Sequence, residues 1–160
     1  MGIIDCLDTH VLIWGIKKQA NPTQQNMIDR AARFIQWLEK EKHTVIIPAP
    51  VLGELLMKIP VEQHQNFISQ FSKNFIIAPF DAHAASQFAY IWQKTGESYQ
   101  SNNQGNSGRE KIKVDCMIVA IAVAQKANVL YSEDADIIKI ANGFVNVKTI
   151  PDIPYQYELT

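Results

Sequence analysis

Cysteine is scarce in this chain. Cys6 and Cys116 are the only two, far apart and each in an apolar context, so they can build neither a zinc site nor a disulfide framework. They read as reduced core residues. An excess of one charge is also missing. Fifteen Lys and Arg face 16 Asp and Glu, for a formal net charge of −1, which excludes a global attraction to nucleic acid and leaves only local basic patches for such binding. Arg109, Lys111 and Lys113 come nearest to forming one. No apolar run is long enough for a membrane span, and Met1-Gly2 leads into a strand without a basic leader. The expectation is a cytoplasmic protein with no membrane association. His10, His43, His64 and His83 show no ligand spacing with each other or with either cysteine, and read as surface or satisfied histidines. No internal repeat is present.

What the chain does contain is an ordinary core: 160 residues, 47% of them hydrophobic, suit one domain. Residues 3–8, IIDCLD, predict a strand that Asp8 closes, with Thr9-His10 beginning the turn and residues 11–14 starting an apolar helix. Asn21-Pro22 predicts the start of an amphipathic helix whose Met27, Ala31, Phe34, Ile35 and Leu38 recur at helical spacing to about Lys42. Residues 44–47 are a second strand stopped by Pro48, and Pro50 starts a helix with Val51, Leu52, Leu55 and Leu56 on its apolar arc and Glu54 on its flank. A short helix after Pro60, a third strand at 75–78 and a helix capped by Asp81 follow. Residues 97–110, ESYQSNNQGNSGRE, offer almost nothing to bury and predict a flexible polar loop.

Asp115 is expected to open the next helix, which from Met117 to Ala127 is apolar on nearly every face and so is wedged inside the domain. Residues 129–132 read as a fourth strand, with Glu133, Asp134 and Asp136 directly behind it. A short helix at 137–141, Gly143 and a last strand at 145–150 complete the chain.

This alternation predicts an α/β three-layer sandwich with a mostly parallel sheet of about five strands. Helices returning over such a sheet bring their N-termini to the carboxyl edge of the strands, where ligands bind. Asp8, Glu54, Asp115 and Asp134 all map to that edge. Each has a plain explanation of its own: a cap or first-turn acid for Asp115, a loop acid for Asp134, a solvated acid for Glu54. Together, converging carboxylates raise each other's pKa unless cations neutralise them. Oxygen ligands without Cys or His point to Mg²⁺ or Mn²⁺.

Asp8 in LDTHVLIW, Glu54 in VLGELL, Asp115 in VDCMIVAIAV, and Ser132, Asp134 and Asp136 in LYSEDADI occur in an order that resembles the PIN domain family. These are metal-dependent ribonucleases that include toxins of VapBC-type toxin–antitoxin pairs. The resemblance covers most of the chain and implies a single PIN-like domain over residues 1–160 with strand order 3-2-1-4-5. It implies hydrolysis of RNA phosphodiester bonds to 5′-phosphate and 3′-hydroxyl products, with water as nucleophile and one or two Mg²⁺ or Mn²⁺ ions as cofactor. Asp8, Asp115 and Asp134 are the implied direct ligands. Glu54 acts directly or through water, and Asp136 is either a supporting ligand or a cap for the helix that follows. Ser132 and Thr9 support the site.

Arg109, Lys111 and Lys113 hold RNA phosphates in this reading, against the plain alternative of a solvated basic segment. The implied partners are RNA, a cognate antitoxin protein and a second copy in a homodimer. Two features depart from the family pattern: the longer polar loop at 97–110, and Asp5 within the first strand, for which the sequence offers no role. Three other readings remain. One is a housekeeping RNA-processing nuclease. Another is a PIN-like protein-binding module without activity. The third is a phosphoryl-transfer hydrolase with Asp8 as covalent nucleophile, against which Asp8-Thr9-His10 lacks a paired acid.

Overall fold

Short β-branched and apolar runs become buried strands: β1 (Ile4–Leu7), β2 (Thr44–Pro48), β3 (Ile76–Ala78), β4 (Val129–Tyr131) and β5 (Val147–Lys148). The computed structural model describes residues 2–100 and 106–155, with side-chain positions for all of these except 96–100, 106 and 107. Every pairing is parallel and the order is β3-β2-β1-β4-β5, as the family resemblance implies. β1 and β2 are joined through α1 (Thr9–Gly15) and α2 (Asn26–Lys40), and β2 and β3 through α3 (Ala49–Leu56) and α4 (His64–Phe71). Then α5 (Ala82–Gln100) and α6 (Asn106–Ala124) lead to β4, and α7 (Ala135–Ala141) to β5. The chain runs outward from β1 to β3, then returns to the other side of β1. The order therefore reverses between β1 and β4, the place where open parallel sheets form a ligand crevice.

Helices cover the sheet with side chains spaced to suit. Ala31, Phe34 and Leu38 of α2 are fully buried, and the Phe34 ring meets Tyr131 of β4 at 4.5 Å between centroids. Each large aliphatic or aromatic side chain so buried contributes about 1.5–3 kcal/mol. α1 seats on α2 through Gly15. A Cβ there would stand 2.5 Å from Ile35 Cδ1, which would have to turn aside, and 3.2 Å from the Ala31 backbone, so glycine lets the helices approach without adjustment. α6 is buried on nearly all sides from Asp115 to Ala122, as its composition predicts. Cys6 and Cys116 are free and buried. No helix among the described residues is long and apolar enough to cross a membrane.

Three expectations are corrected. The polar stretch 97–110 is not a loop throughout: α5 continues to Gln100, α6 begins at Asn106, and 101–105 lie outside the described residues. Consequently Asp115 does not open its helix. Two turns precede it, because Arg109, Glu110, Lys111 and Lys113 are good helix formers and Ile112 is buried as an anchor. Ser, Asn and Gly weaken a helix by only about 0.5–1 kcal/mol each, which tertiary packing overrides. Finally, the expected β5 at 145–150 narrows to Val147–Lys148, paired only to β4.

Candidate functional site

β1 ends at Leu7, whose register partner is Tyr131, so the residues after each strand, Asp8 and Ser132, emerge side by side. Asp8 caps α1: its Oδ1 accepts the Thr9 N–H at 2.7 Å, and its Oδ2 accepts the Ser132 hydroxyl at 2.7 Å. Ser132 Oγ in turn accepts the Asp134 N–H at 3.0 Å. Asp134 caps α7 through Oδ1, which accepts the Asp136 N–H at 2.8 Å. One run of hydrogen bonds thus links the exits of β1 and β4. Asp134 is a cap with one oxygen and leaves the other, Oδ2, facing the site.

α6 brings Asp115 to the same place, 6% exposed. One turn earlier, Lys111 reaches in and donates from Nζ to Asp115 Oδ2 at 2.7 Å, Asp134 Oδ2 at 3.0 Å and Asp136 Oδ2 at 3.1 Å. Carboxylate oxygens of Asp115, Asp134 and Asp136 lie within 4.8 Å of one another. Asp8 stands beside this trio, near enough for its charge to raise the pKa of Asp115 and for that of Asp134 to raise its own. Glu54, on the exposed flank of α3, is near enough to feel Asp8 as well.

The protonation pattern reflects a shortage of positive charge. Burial pushes the Asp115 carboxyl up to about 7, and the charges of Asp134 and Asp8 add to this against the pull of Lys111. Burial also raises Asp8, with the Ser132 and Thr9 hydrogen bonds only partly offsetting it. Glu54 is raised by partial burial and then by Asp8; solvent reaches its outer side, so only the direction carries meaning. For Asp134, burial pushes upward but Lys111 and the Asp136 N–H outweigh it, and the net movement is downward. Burial would lower Lys111, but its hydrogen bonds to Asp115 and Asp134 hold its pKa above the usual lysine range.

These donors fit a small hard cation. All are oxygens, and an ammonium already sits within hydrogen-bond distance of three of them. Thr9 Oγ1 is buried nearby with no hydrogen-bond partner. Its hydroxyl lies near enough to moderate the Glu54 carboxyl without reaching hydrogen-bonding geometry.

Not every residue singled out in the sequence joins the cluster. Arg109 is exposed, and Lys113 is exposed with its Nζ over the Trp92 ring, 6.0 Å from the centroid. Lys111 faces inward among the acids, a role its composition hid. The signal available was its spacing, one helical turn before Asp115. Asp5 acquires its partner here: its Oδ2 meets Nδ1 of His43, just before β2 and away from the acids of the carboxyl edge.

The PIN domain family model matches residues 6–143. No curated protein matches the chain in sequence. Among solved structures, VapBC2 from Rickettsia felis bound to a DNA fragment from its promoter is similar at 20% identity. The match covers 92% of this chain and 98% of that one, with a TM-score of 0.62. DNA-bound VapBC from Salmonella typhimurium is similar at 15% identity over 93% and 99%, with a TM-score of 0.63. VapBC-1 from Haemophilus influenzae is similar at 15% identity over 92% and 98%, with a TM-score of 0.62. At these identities the structural likeness speaks to fold. The sequence match over most of the chain, on the sheet order and acidic edge described above, makes this chain a member of the PIN domain family.

Proposed function

We propose that this PIN domain is a divalent-metal-dependent endoribonuclease, the toxin of a toxin–antitoxin pair, hydrolysing RNA phosphodiester bonds. The observation that carries the reading is the convergence of Asp115, Asp134 and Asp136 oxygens within 4.8 Å at the switch point of a parallel sheet. Asp8, Asp115 and Asp134 are the proposed ligands of Mg²⁺ or Mn²⁺, with Asp136 and Glu54 in support. Bound there, the ion supplies Lewis acidity, activating water and stabilising charge on phosphate oxygens.

The chain's own residues do the rest. Ser132 and the Thr9 N–H fix both oxygens of Asp8, so it cannot turn away from the site. Ser132 also anchors the backbone of Asp134, which ties the spacing of the two acids to one hydroxyl. Glu54, on the open side with a raised pKa, is the group positioned to take a proton from attacking water. Arg109 and Lys113, both exposed on α6, are the proposed phosphate contacts. The solved structures of similar fold are VapBC assemblies, which supports an antitoxin as the protein partner to seek, beside self-association into a homodimer.

The test is cleavage of single-stranded RNA by wild type and Asp115→Asn, with Mg²⁺ or Mn²⁺ and with chelator. Metal-dependent cleavage leaving 5′-phosphate ends, lost in the variant, is the expected result. Absence of cleavage over a broad RNA panel with either metal would overturn the reading in favour of a protein-binding module.

A further inference from the structure

Lys111 and Asp115 are one turn apart on α6, with the lysine N-terminal to the acid, the weaker orientation for a helical ion pair. Local pairing alone would leave such a side chain in solvent. Instead the ammonium places its three donors on three acids from two different elements: Asp115 of α6 at 2.7 Å, and Asp134 and Asp136 at the start of α7 at 3.0 and 3.1 Å. These are the same three residues whose oxygens converge for a cation. The Lys111 side chain is 50% exposed, so the ammonium is held by the acids and not by enclosure in the core.

We propose that Lys111 is an internal counter-ion, occupying the position of the divalent ion in the metal-free protein and giving way when the ion binds. The inference rests on the metal-site reading above. Two consequences follow from the geometry. Without metal, the lysine keeps α6 and the start of α7 together, so the ligand set is assembled before the ion arrives. With metal, each binding event must break three charge-assisted hydrogen bonds, so the lysine sets the concentration at which the site loads. The freed ammonium then stands at the mouth of the site, where an RNA phosphate approaches.

The experiment compares metal-free wild type with Lys111→Met, which keeps the length of the stem and removes the charge. Mn²⁺ affinity is read by calorimetry, and melting temperature with and without the ion. The expected variant binds Mn²⁺ about tenfold more tightly, melts lower without metal and gains more from it. Equal or weaker Mn²⁺ affinity in Lys111→Met, with the wild type binding normally, overturns the counter-ion proposal and leaves the metal site intact. If neither protein binds Mn²⁺ at millimolar concentration, the metal reading falls and takes the proposal with it.

A second measurement needs no variant: acylation of wild-type lysines by an activated acetate ester, followed by mass spectrometry, with exposed Lys126 as reference. Lys111 should be protected without metal and react several-fold faster once Mg²⁺ is added. An unchanged ratio to Lys126 in protein that binds Mg²⁺ would overturn displacement.

Discussion

Asp5 within β1 and Asp8 at its exit are almost equally buried, at 1% and 4% exposed, yet they are served by different partners. Asp5 has the imidazole of His43 to itself. Asp8 accepts hydrogen bonds from a hydroxyl and a backbone N–H, while the nearby His10 charge pulls its pKa down and that of Asp134 pushes it up. Burial alone therefore does not separate an acid with its own partner from one left in a cluster. The separating feature is whether the fold supplies a private partner, as beside β2, or leaves several acids to share one lysine, as at the crevice.

The largest effect expected from this contrast is on cleavage. Asp115→Asn should lower metal-dependent RNA hydrolysis by at least about 100-fold while the protein remains folded, because replacing even the outer supports of a metal site typically costs 10–100-fold. Circular dichroism beside a nuclease assay separates the two readouts. Full activity in the variant would remove Asp115 from the site.

The opposite outcome is expected at Asp5. His43→Ala leaves a buried carboxyl without its partner and should cost about 3 kcal/mol of stability. Denaturant unfolding measures it, and cleavage per folded molecule should match wild type below the melting transition. A loss of cleavage without loss of stability would erase the distinction drawn between the two acids.

Titration gives a smaller effect with a defined sign. Folded Asp115 holds its proton up to about pH 7, above its unfolded value, so its contribution is fully present below pH ~4 and is lost as pH rises through about 7. Asp134 has the reverse sign: lowered in the fold, it contributes stability above pH ~4 that is lost in acid. The Asp134 contribution is already complete at pH 4, so between pH 4 and 7.5 the metal-free protein should lose stability from this site as Asp115 ionises. Mn²⁺ should restore it at neutral pH. Melting curves across pH, with and without Mn²⁺, test this directly, and a site contribution that grows toward pH 7 without metal would contradict it.

Smallest is Ser132→Ala. It removes one of the two hydrogen bonds to Asp8 and the acceptor for the Asp134 N–H, which should cost about 1 kcal/mol in stability and roughly tenfold in cleavage. If cleavage were unchanged, Asp8 would not need this hydroxyl to hold its orientation.

Much of this arrangement is legible in the residue order. The acids reach one edge because a strand followed by a returning helix puts its exit there, and that follows from chain direction and right-handed crossover alone. Asp8 and Asp134 follow on those grounds as strand exits, and the structure adds that each also caps the helix behind it. Asp115 reached the right edge on a wrong premise. Its sequence context predicts the first residue of a helix, and it lies two turns inside one because Ile112 packs into the core and carries the polar residues before it into helix. Composition cannot see that override.

Residue order alone dictates the alternation of elements, the parallel sheet and the edge at which its acids collect. These depend on periodicity and local chain direction, which neighbouring residues specify. The pairings come from packing in three dimensions: Lys111 with Asp134 and Asp136, 23 and 25 residues away, and His43 with Asp5, 38 residues away. Such contacts form only after helices and strands have packed. Whether a buried charge is neutralised, shared or left for an ion is then set by three-dimensional distance, which separation along the chain does not encode.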